Sequence, residues 1–484
     1  MASHDQARLS GVTPHDPQAD NDQALYEVRK KIYPRAVSGR FANWRWSLVF
    51  LTQLAFYGSV WLTWNGRQAV LFDLVSRKFY IFGLVLWPQD FIYLTTLLLI
   101  SAFSLFLFTA VAGRLWCGFA CPQTVYTEIF LWIERKIEGE SRARMKLDRG
   151  GFSVHKFTLK AAKHGAWIAL SFWTGFTFVG YFTPIRELDR LVMSFSTGPW
   201  ETFWIAFYGF ATYGNAGFMR EQVCKYMCPY ARFQGVMFDR DTLLITYDNL
   251  RGEPRGARSR KADYKAQSLG ECVDCNICVQ VCPTGIDIRD GQQYECIGCA
   301  ACIDGCNQVM DKMGYPRGLI RYATESAVEK RFGWAVMLKR IFRPRVLLYT
   351  AILWTIIGAA TIHLLLRVPV KVDVIRDRGA IAREVEGGFI ENVYRLQIMN
   401  TEEVPRYLSI TASGVDGIKV EGIAQPLAIG PASALLLPVR LRARPAGLDK
   451  GMHRIHFDVV ASDAAGNPQP GIFSIHEKSL FYTP

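Results

Sequence analysis

The chain has 484 residues, of which 50% are hydrophobic and 13% aromatic, with a formal net charge of +13 and a mean hydropathy of +0.09. That length holds two or three domains, and the apolar content points to a membrane protein. The basic excess argues against a nucleic-acid binder, because it sits in loops at the ends of apolar segments.

Residues 1–40 are expected to be a disordered, basic cytoplasmic tail: the first 24 or so are polar and contain Pro14, Pro17 and several Asp. No cleavable signal peptide is visible, so the first span is expected to serve as an uncleaved insertion signal. Five stretches, residues 46–64, 91–112, 164–182, 200–218 and 346–366, approach the roughly 20 apolar residues a spanning helix needs. Tyr208, Tyr213 and Asn215 dilute the fourth. A shorter run, residues 79–87, ends at Pro88 and reads as an interfacial or re-entrant segment.

Three basic blocks set the orientation. Arg29, Lys30, Lys31, Arg35, Arg40 and Arg45 precede the first span. Arg114, Arg135, Lys136, Arg142, Arg144, Lys146, Arg149, Lys156, Lys160 and Lys163 lie between the second and third. Arg331, Lys339, Arg340, Arg343 and Arg345 lead into the fifth. The positive-inside rule places the N-terminus and all three blocks in the cytoplasm, and five spans leave the C-terminal segment outside.

Spans two and four each lead into the same motif, Cys117-x3-Cys121-Pro122 and Cys224-x3-Cys228-Pro229. Proline disfavours helix at the preceding residue and suits the first position of a new one, so each motif predicts a bend. Residues 124–137 fit the helix that follows, with Val125, Ile129, Trp132, Ile133 and Ile137 near one face. The repeat of hairpin, dithiol and interfacial helix implies that four thiols converge at the membrane surface. Thiolates there suit Cu(I), zinc or a further iron–sulfur cluster, or a dithiol–disulfide cycle; plain packing at helix ends is the simpler alternative. Met219, Met227 and Met237 read as apolar filler rather than thioether ligands. His164 and His363 fall at opposite depths, which argues against a transmembrane haem.

The strongest signal follows. Cys272-x2-Cys275-x2-Cys278-x3-Cys282-Pro283 and Cys296-x2-Cys299-x2-Cys302-x3-Cys306 are two tandem runs of bacterial ferredoxin spacing. In that pattern the fourth thiolate of each run crosses to the other cluster. The expectation is one [4Fe–4S] cube on Cys272, Cys275, Cys278 and Cys306, and another on Cys296, Cys299, Cys302 and Cys282. Zinc is the alternative, but it does not explain a duplicated four-cysteine run. Asn307 stands where the second run would carry proline.

All twelve cysteines precede span five, as fits metal ligands on the reducing side of the membrane. From about Lys371, alternating segments at residues 394–398, 407–410, 435–441 and 453–459 read as an antiparallel immunoglobulin-like sandwich. His453, His456 and His476 are read as solvent-face strand residues.

With these motifs assembled, the chain resembles the CcoG/FixG/RdxA group of cytochrome c oxidase accessory proteins. The resemblance rests on Ile32-Tyr33-Pro34-Arg35, residues 78–83, Trp87-Pro88-Gln89-Asp90, Trp116-Cys117-Gly118, Cys228-Pro229-Tyr230 through Gln234, residues 251–256 and both ferredoxin runs. It implies reduction of Cu(II) to Cu(I) for assembly of a cbb-type oxidase. Cys117, Cys121, Cys224 and Cys228 are then the candidates for handling copper or receiving the electron. The implied partners are copper ions, an unidentified electron donor, and oxidase subunits or copper chaperones and transporters. Two alternatives stay open: a quinol-linked electron-transfer subunit like the NapH-type proteins, and a redox-sensing, non-catalytic assembly scaffold. The expected architecture is a five-span α-helical protein of the bacterial inner membrane. A four-span domain (41–240) is followed by an inserted cytoplasmic ferredoxin-like domain (241–330), a fifth span (331–368) and a periplasmic all-β domain (369–484).

Overall fold

The computed structural model describes residues 31–376, 382–444 and 449–484. The expected tail before residue 31, with Arg29 and Lys30, lies outside them. Helices occupy all five apolar stretches: Arg40–Ser59, Phe91–Ala112, Val154–Val179, Pro199–Thr212 and Pro344–Leu365. Among the described residues, two helices, Pro88–Ala112 and Pro344–Leu365, are long and apolar enough to cross a bilayer. The other three fall short for local reasons. Asn43, Arg45 and Gln53 dilute the first and Lys163 and His164 the third, while the fourth stops after 14 residues and continues as the π-helix Tyr213–Met219.

Phe91–Ala112 packs chiefly on Pro344–Leu365, and arginine side chains tie both ends of the pair. Arg343 donates to Asp241 O at 2.8 Å and to Ala110 O, and Arg367 donates to Val85 O at 2.8 Å and to Asp90 at 2.6 Å. Val154–Val179 packs on Pro199–Thr212 through small residues: a Cβ on Gly175 would stand 2.3 Å from Ile205 O. The expected hairpin is therefore present in the second half, whereas the second span takes the fifth as its main partner.

Residues 79–87 form strands rather than a helical segment. Lys78–Ile81 and Leu84–Leu86 pair antiparallel and extend a sheet begun by Val70–Asp73. The two-residue turn Phe82-Gly83, with Phe82 at φ +51, lets Phe79-Tyr80-Ile81 and Leu84-Val85-Leu86 fold back on each other.

The strands Leu244–Tyr247 and Ile320–Ala323 close the neck of the ferredoxin-like insertion. At the other end of Pro344–Leu365, two antiparallel sheets form a sandwich. One runs Lys419–Glu421, Ala434–Ala443, Phe389–Asn400, Val370–Arg376, with Arg383–Val385 also on Phe389–Asn400; the other runs Leu427–Ile429, Arg406–Ser413, Gly451–Ser462, Ser474–Thr483. Leu396, Ile398, Leu408, Ile410, Val439, Leu441 and Phe457 alternate inward and are fully buried between them.

Candidate functional site: three groups of thiols

All twelve cysteines are free. The two ferredoxin runs have the same backbone. In each, the residue before the second cysteine and the one after it are left-handed: Asp274 and Asn276 in the first, Gly298 and Ala300 in the second, at φ between +50 and +72. Each loop then enters a helix, Ile277–Gln280 or Ala301–Met313. Successive left-handed residues turn backbone N–H groups toward a common centre, a concavity suited to the sulfurs of an iron–sulfur cube.

The thiols' effects on one another show which of them converge. Burial pushes Cys306 up to about 12, and Cys278, Cys272 and Cys275 add to the shift. Burial likewise pushes Cys296 up to about 12, with Cys299 and Cys282 adding to it. Cys302 is raised by burial and then by Cys299, Cys296 and Cys282. The last thiol of each run therefore sits with the first three of the other. Among the described residues, no three His, Cys, Asp or Glu side chains are set to hold a single metal ion. Eight thiols in two interleaved groups of four are the donor set of two iron–sulfur cubes.

The third group comes from the repeated motifs. Phe91–Ala112 ends at Gly113 (φ 52, ψ −111), and the π-helix Tyr213–Met219 ends at Arg220 (φ 45, ψ −110). Each lies four residues before the first cysteine of its motif, so the repeat extends to the backbone. The short helix Leu115–Phe119 carries Cys117, and the π-helix Val223–Met227 carries Cys224. Cys121 and Cys228 then take extended conformations ahead of the helices Pro122–Glu138 and Pro229–Met237, which gives the bend expected at each Cys-Pro. Burial pushes Cys117 up to about 11, with Cys121 and Cys228 adding to it. It pushes Cys224 up to about 12, with Cys121, Cys117 and Cys228 adding. The four thiols converge across the repeat, and Cys117 Sγ donates to the buried Gln234 Oε1 at 3.4 Å.

This tetrad lies against the second ferredoxin loop. Cys224 packs with Val281, Ile297 and Cys299. A Cβ on Gly118 would meet Gly298 O at 2.5 Å and Cys299 N at 2.8 Å, so the two backbones touch only because residue 118 is glycine. Arg114, 6% exposed, donates to Cys296 O at 3.0 Å and also to Tyr294 O and Ala231 O. It makes no ion pair among the described residues, and its Nε has no partner. Burial lowers its pKa, while the charges of Cys117, Cys296 and Cys224 oppose that. A buried cation without a direct ion pair is costly, and Glu295 acts on it only through space. Thiolate-bound clusters would supply the missing negative charge. Arg45 makes a similar contact, donating to Cys299 O at 2.8 Å.

Two further contacts fix the geometry. Asp304, on the Ala301–Met313 helix, accepts from Ala42 N at 2.8 Å and so caps the helix Arg40–Ser59. Glu134, fully buried on Pro122–Glu138, pairs with Arg144 (3.1 Å), Arg220 (2.9 Å) and Lys163 (3.7 Å), tying both arms of the repeat together. Sequence reasoning counted Arg45, Arg114, Arg144 and Lys163 as loop charges, yet each is buried. Arg114 carried a signal in its position three residues before Cys117; the burial of the others depends on contacts distant in sequence.

The histidines stay apart from the thiols. His164 bonds Tyr213, His363 bonds Tyr93, His476 bonds Asp458, and His453 bonds the carbonyl of Asp449. Met227 is exposed and Met237 is buried in the core.

Comparison with known proteins gives three family-model matches: a 4Fe-4S binding domain over residues 94–139, a 4Fe-4S dicluster domain over 219–325, and the IG-like fold at the C-terminal of FixG over 360–484. The chain is 40% identical to the nitrogen fixation protein FixG of Rhizobium meliloti, over 81% of this chain and 80% of that protein. It is 37% identical to the protein RdxA of Cereibacter sphaeroides, over 93% and 97%. The ferredoxin-type protein NapH of Haemophilus influenzae matches at 24% over 45% of this chain and 68% of that protein.

Proposed function

This chain belongs to the FixG/RdxA family of iron–sulfur electron-transfer proteins, and from that premise we propose that it reduces Cu(II) to Cu(I) for assembly of a cbb-type cytochrome c oxidase. Cys272, Cys275, Cys278 and Cys306 hold one [4Fe–4S] cluster, and Cys282, Cys296, Cys299 and Cys302 hold the other. Bound clusters supply single electrons, the unit that Cu(II) needs to become Cu(I).

The observation that carries this reading is the packing of Cys224 against the buried cluster that contains Cys299. The tetrad of Cys117, Cys121, Cys224 and Cys228 receives the copper ion as substrate, and sulfur ligation favours the reduced ion. Partial burial, with Cys117 bonded to Gln234, limits the contact of these thiols with solvent oxidants. The protein crosses the bacterial inner membrane five times, with the ferredoxin region in the cytoplasm and the sandwich in the periplasm. This topology is supported by their attachment to opposite ends of the 22-residue helix Pro344–Leu365, which is about 33 Å long at 1.5 Å per residue. The sandwich, free of cysteine, is suited to holding oxidase subunits or copper carriers.

The test is anaerobic. Pre-reduced protein is mixed with Cu(II), and Cu(I) is followed with a Cu(I)-specific chelator. The quadruple variant C117A/C121A/C224A/C228A is expected to keep its ferredoxin-type iron and react at least about 100-fold more slowly, as loss of a whole substrate site implies. Full activity in that variant would remove the tetrad from the reaction. Reduction of the iron centres by quinol would favour the NapH-like alternative instead.

A further inference from the structure

We propose that the loop spanning residues 254–269 is a docking surface for a small, acidic, one-electron carrier protein. The inference rests on the electron-transfer reading above and names the kind of donor it requires. Of the twelve cysteines, Cys275 alone is exposed, on an exposed loop between Asp274 and Asn276. Arg114 and Gly118, beside the membrane-side tetrad, meet the backbone of residues 294–299 of the other run, and the first run joins the cluster around Cys224 through Ile277 and Val281. The exposed Cys275 turn of the first run is where a soluble donor can approach.

The loop lies directly against this run. Gly256 N donates to Cys272 O at 3.3 Å, and Arg258 donates to Cys272 O at 3.2 Å and Gly270 O at 2.7 Å. The Arg258 guanidinium also sits over both the Tyr264 and Tyr315 rings, 5.2 and 5.3 Å from their centroids, which anchors the loop. Beyond that anchor, Arg260, Lys261 and Lys265 are exposed and make no ion pair among the described residues. The acids nearby are largely committed. Asp274 and Asp287 pair with Arg289, Glu271 pairs with Arg251, and Asp290 and Glu253 face Arg255. Asp263 accepts from the backbone of its own loop. Three cations without an ion-pair partner among the described residues remain on a loop beside the most accessible thiol group. Such a patch accelerates encounter with a partner of opposite charge and loses that advantage as salt rises.

The experiment uses the full chain in phosphatidylcholine nanodiscs and an oxidised plant-type [2Fe–2S] ferredoxin as an acidic probe, with binding followed by calorimetry. Binding is expected to weaken steadily as NaCl rises. The R260E/K261E/K265E variant should bind at least about tenfold more weakly and lose most of its salt dependence. The radical of methyl viologen, a cation that needs no such surface, should reduce parent and variant to the same extent and so confirm an intact variant. Unchanged ferredoxin affinity in the variant overturns the proposal. So does a variant that binds ferredoxin normally but no longer binds phosphatidylglycerol vesicles, since the loop would then be a lipid contact. Copper reduction by protein that has been pre-reduced and freed of excess reductant bypasses this loop, so its failure would count against the copper reading alone.

Discussion

Arg114 shows what single residues contribute here. It reads in the sequence as one more positive charge at a membrane boundary. In the structure it is buried between two thiol groups and donates only to carbonyls. Replacing it by Gln keeps hydrogen bonding but removes the charge that favours extra negative charge on bound clusters. Reduction potentials measured by redox titration should fall by some tens of millivolts, since about 59 mV corresponds to a tenfold change for one electron. An unchanged potential would assign Arg114 a packing role only. The thiols carry a pH signature as well. In the metal-free chain Cys296 and Cys306 are raised from 9.0 to about 12 by burial and by neighbouring sulfurs. The fold therefore favours their neutral form, a contribution fully present below pH 9 and lost as pH rises toward 12. Cluster binding needs thiolates and releases protons, so the loaded protein follows the opposite trend and loses iron on acidification. Chemical denaturation of metal-free and loaded protein across pH should show these opposite slopes.

At the scale of elements, the cysteine spacings and the helix after each Cys-Pro were legible, because ligand spacing and proline geometry are local. Convergence of the two motifs was implied by their repetition, but the match of Gly113 with Arg220 was not, since a non-glycine residue at φ 45 leaves no mark in sequence. The strand pairing of residues 78–86 was not legible for a related reason: a short apolar run does not distinguish a hairpin from a helical segment. Glu134 links these pieces. Its carboxylate holds Arg220, four residues before Cys224, to Arg144 and Lys163. Glu134→Ala would leave three nearly buried cations around a void and should cost about 3–5 kcal/mol, read as a lowered midpoint of thermal unfolding in detergent. The same variant should lose copper reduction before it loses ferredoxin-type iron, because the repeat is disturbed ahead of the ferredoxin fold.

For the whole molecule, composition and hydropathy indicated an apolar helical body with domains at both ends, and the alternating segments after residue 371 anticipated the sandwich. The docking of the ferredoxin-like insertion was not legible. It depends on contacts far apart in sequence, such as Asp304 capping the first helix and Gly118 meeting Gly298. Those contacts place two ferredoxin-type thiol groups and a separate tetrad in one continuous series, and the account depends on what the first two hold. The most direct measurement is an iron and acid-labile sulfide determination per chain on anaerobically purified protein. About eight of each is the predicted result, with the same count in the C117A/C121A/C224A/C228A variant. A colourless protein lacking iron and labile sulfide would contradict the account.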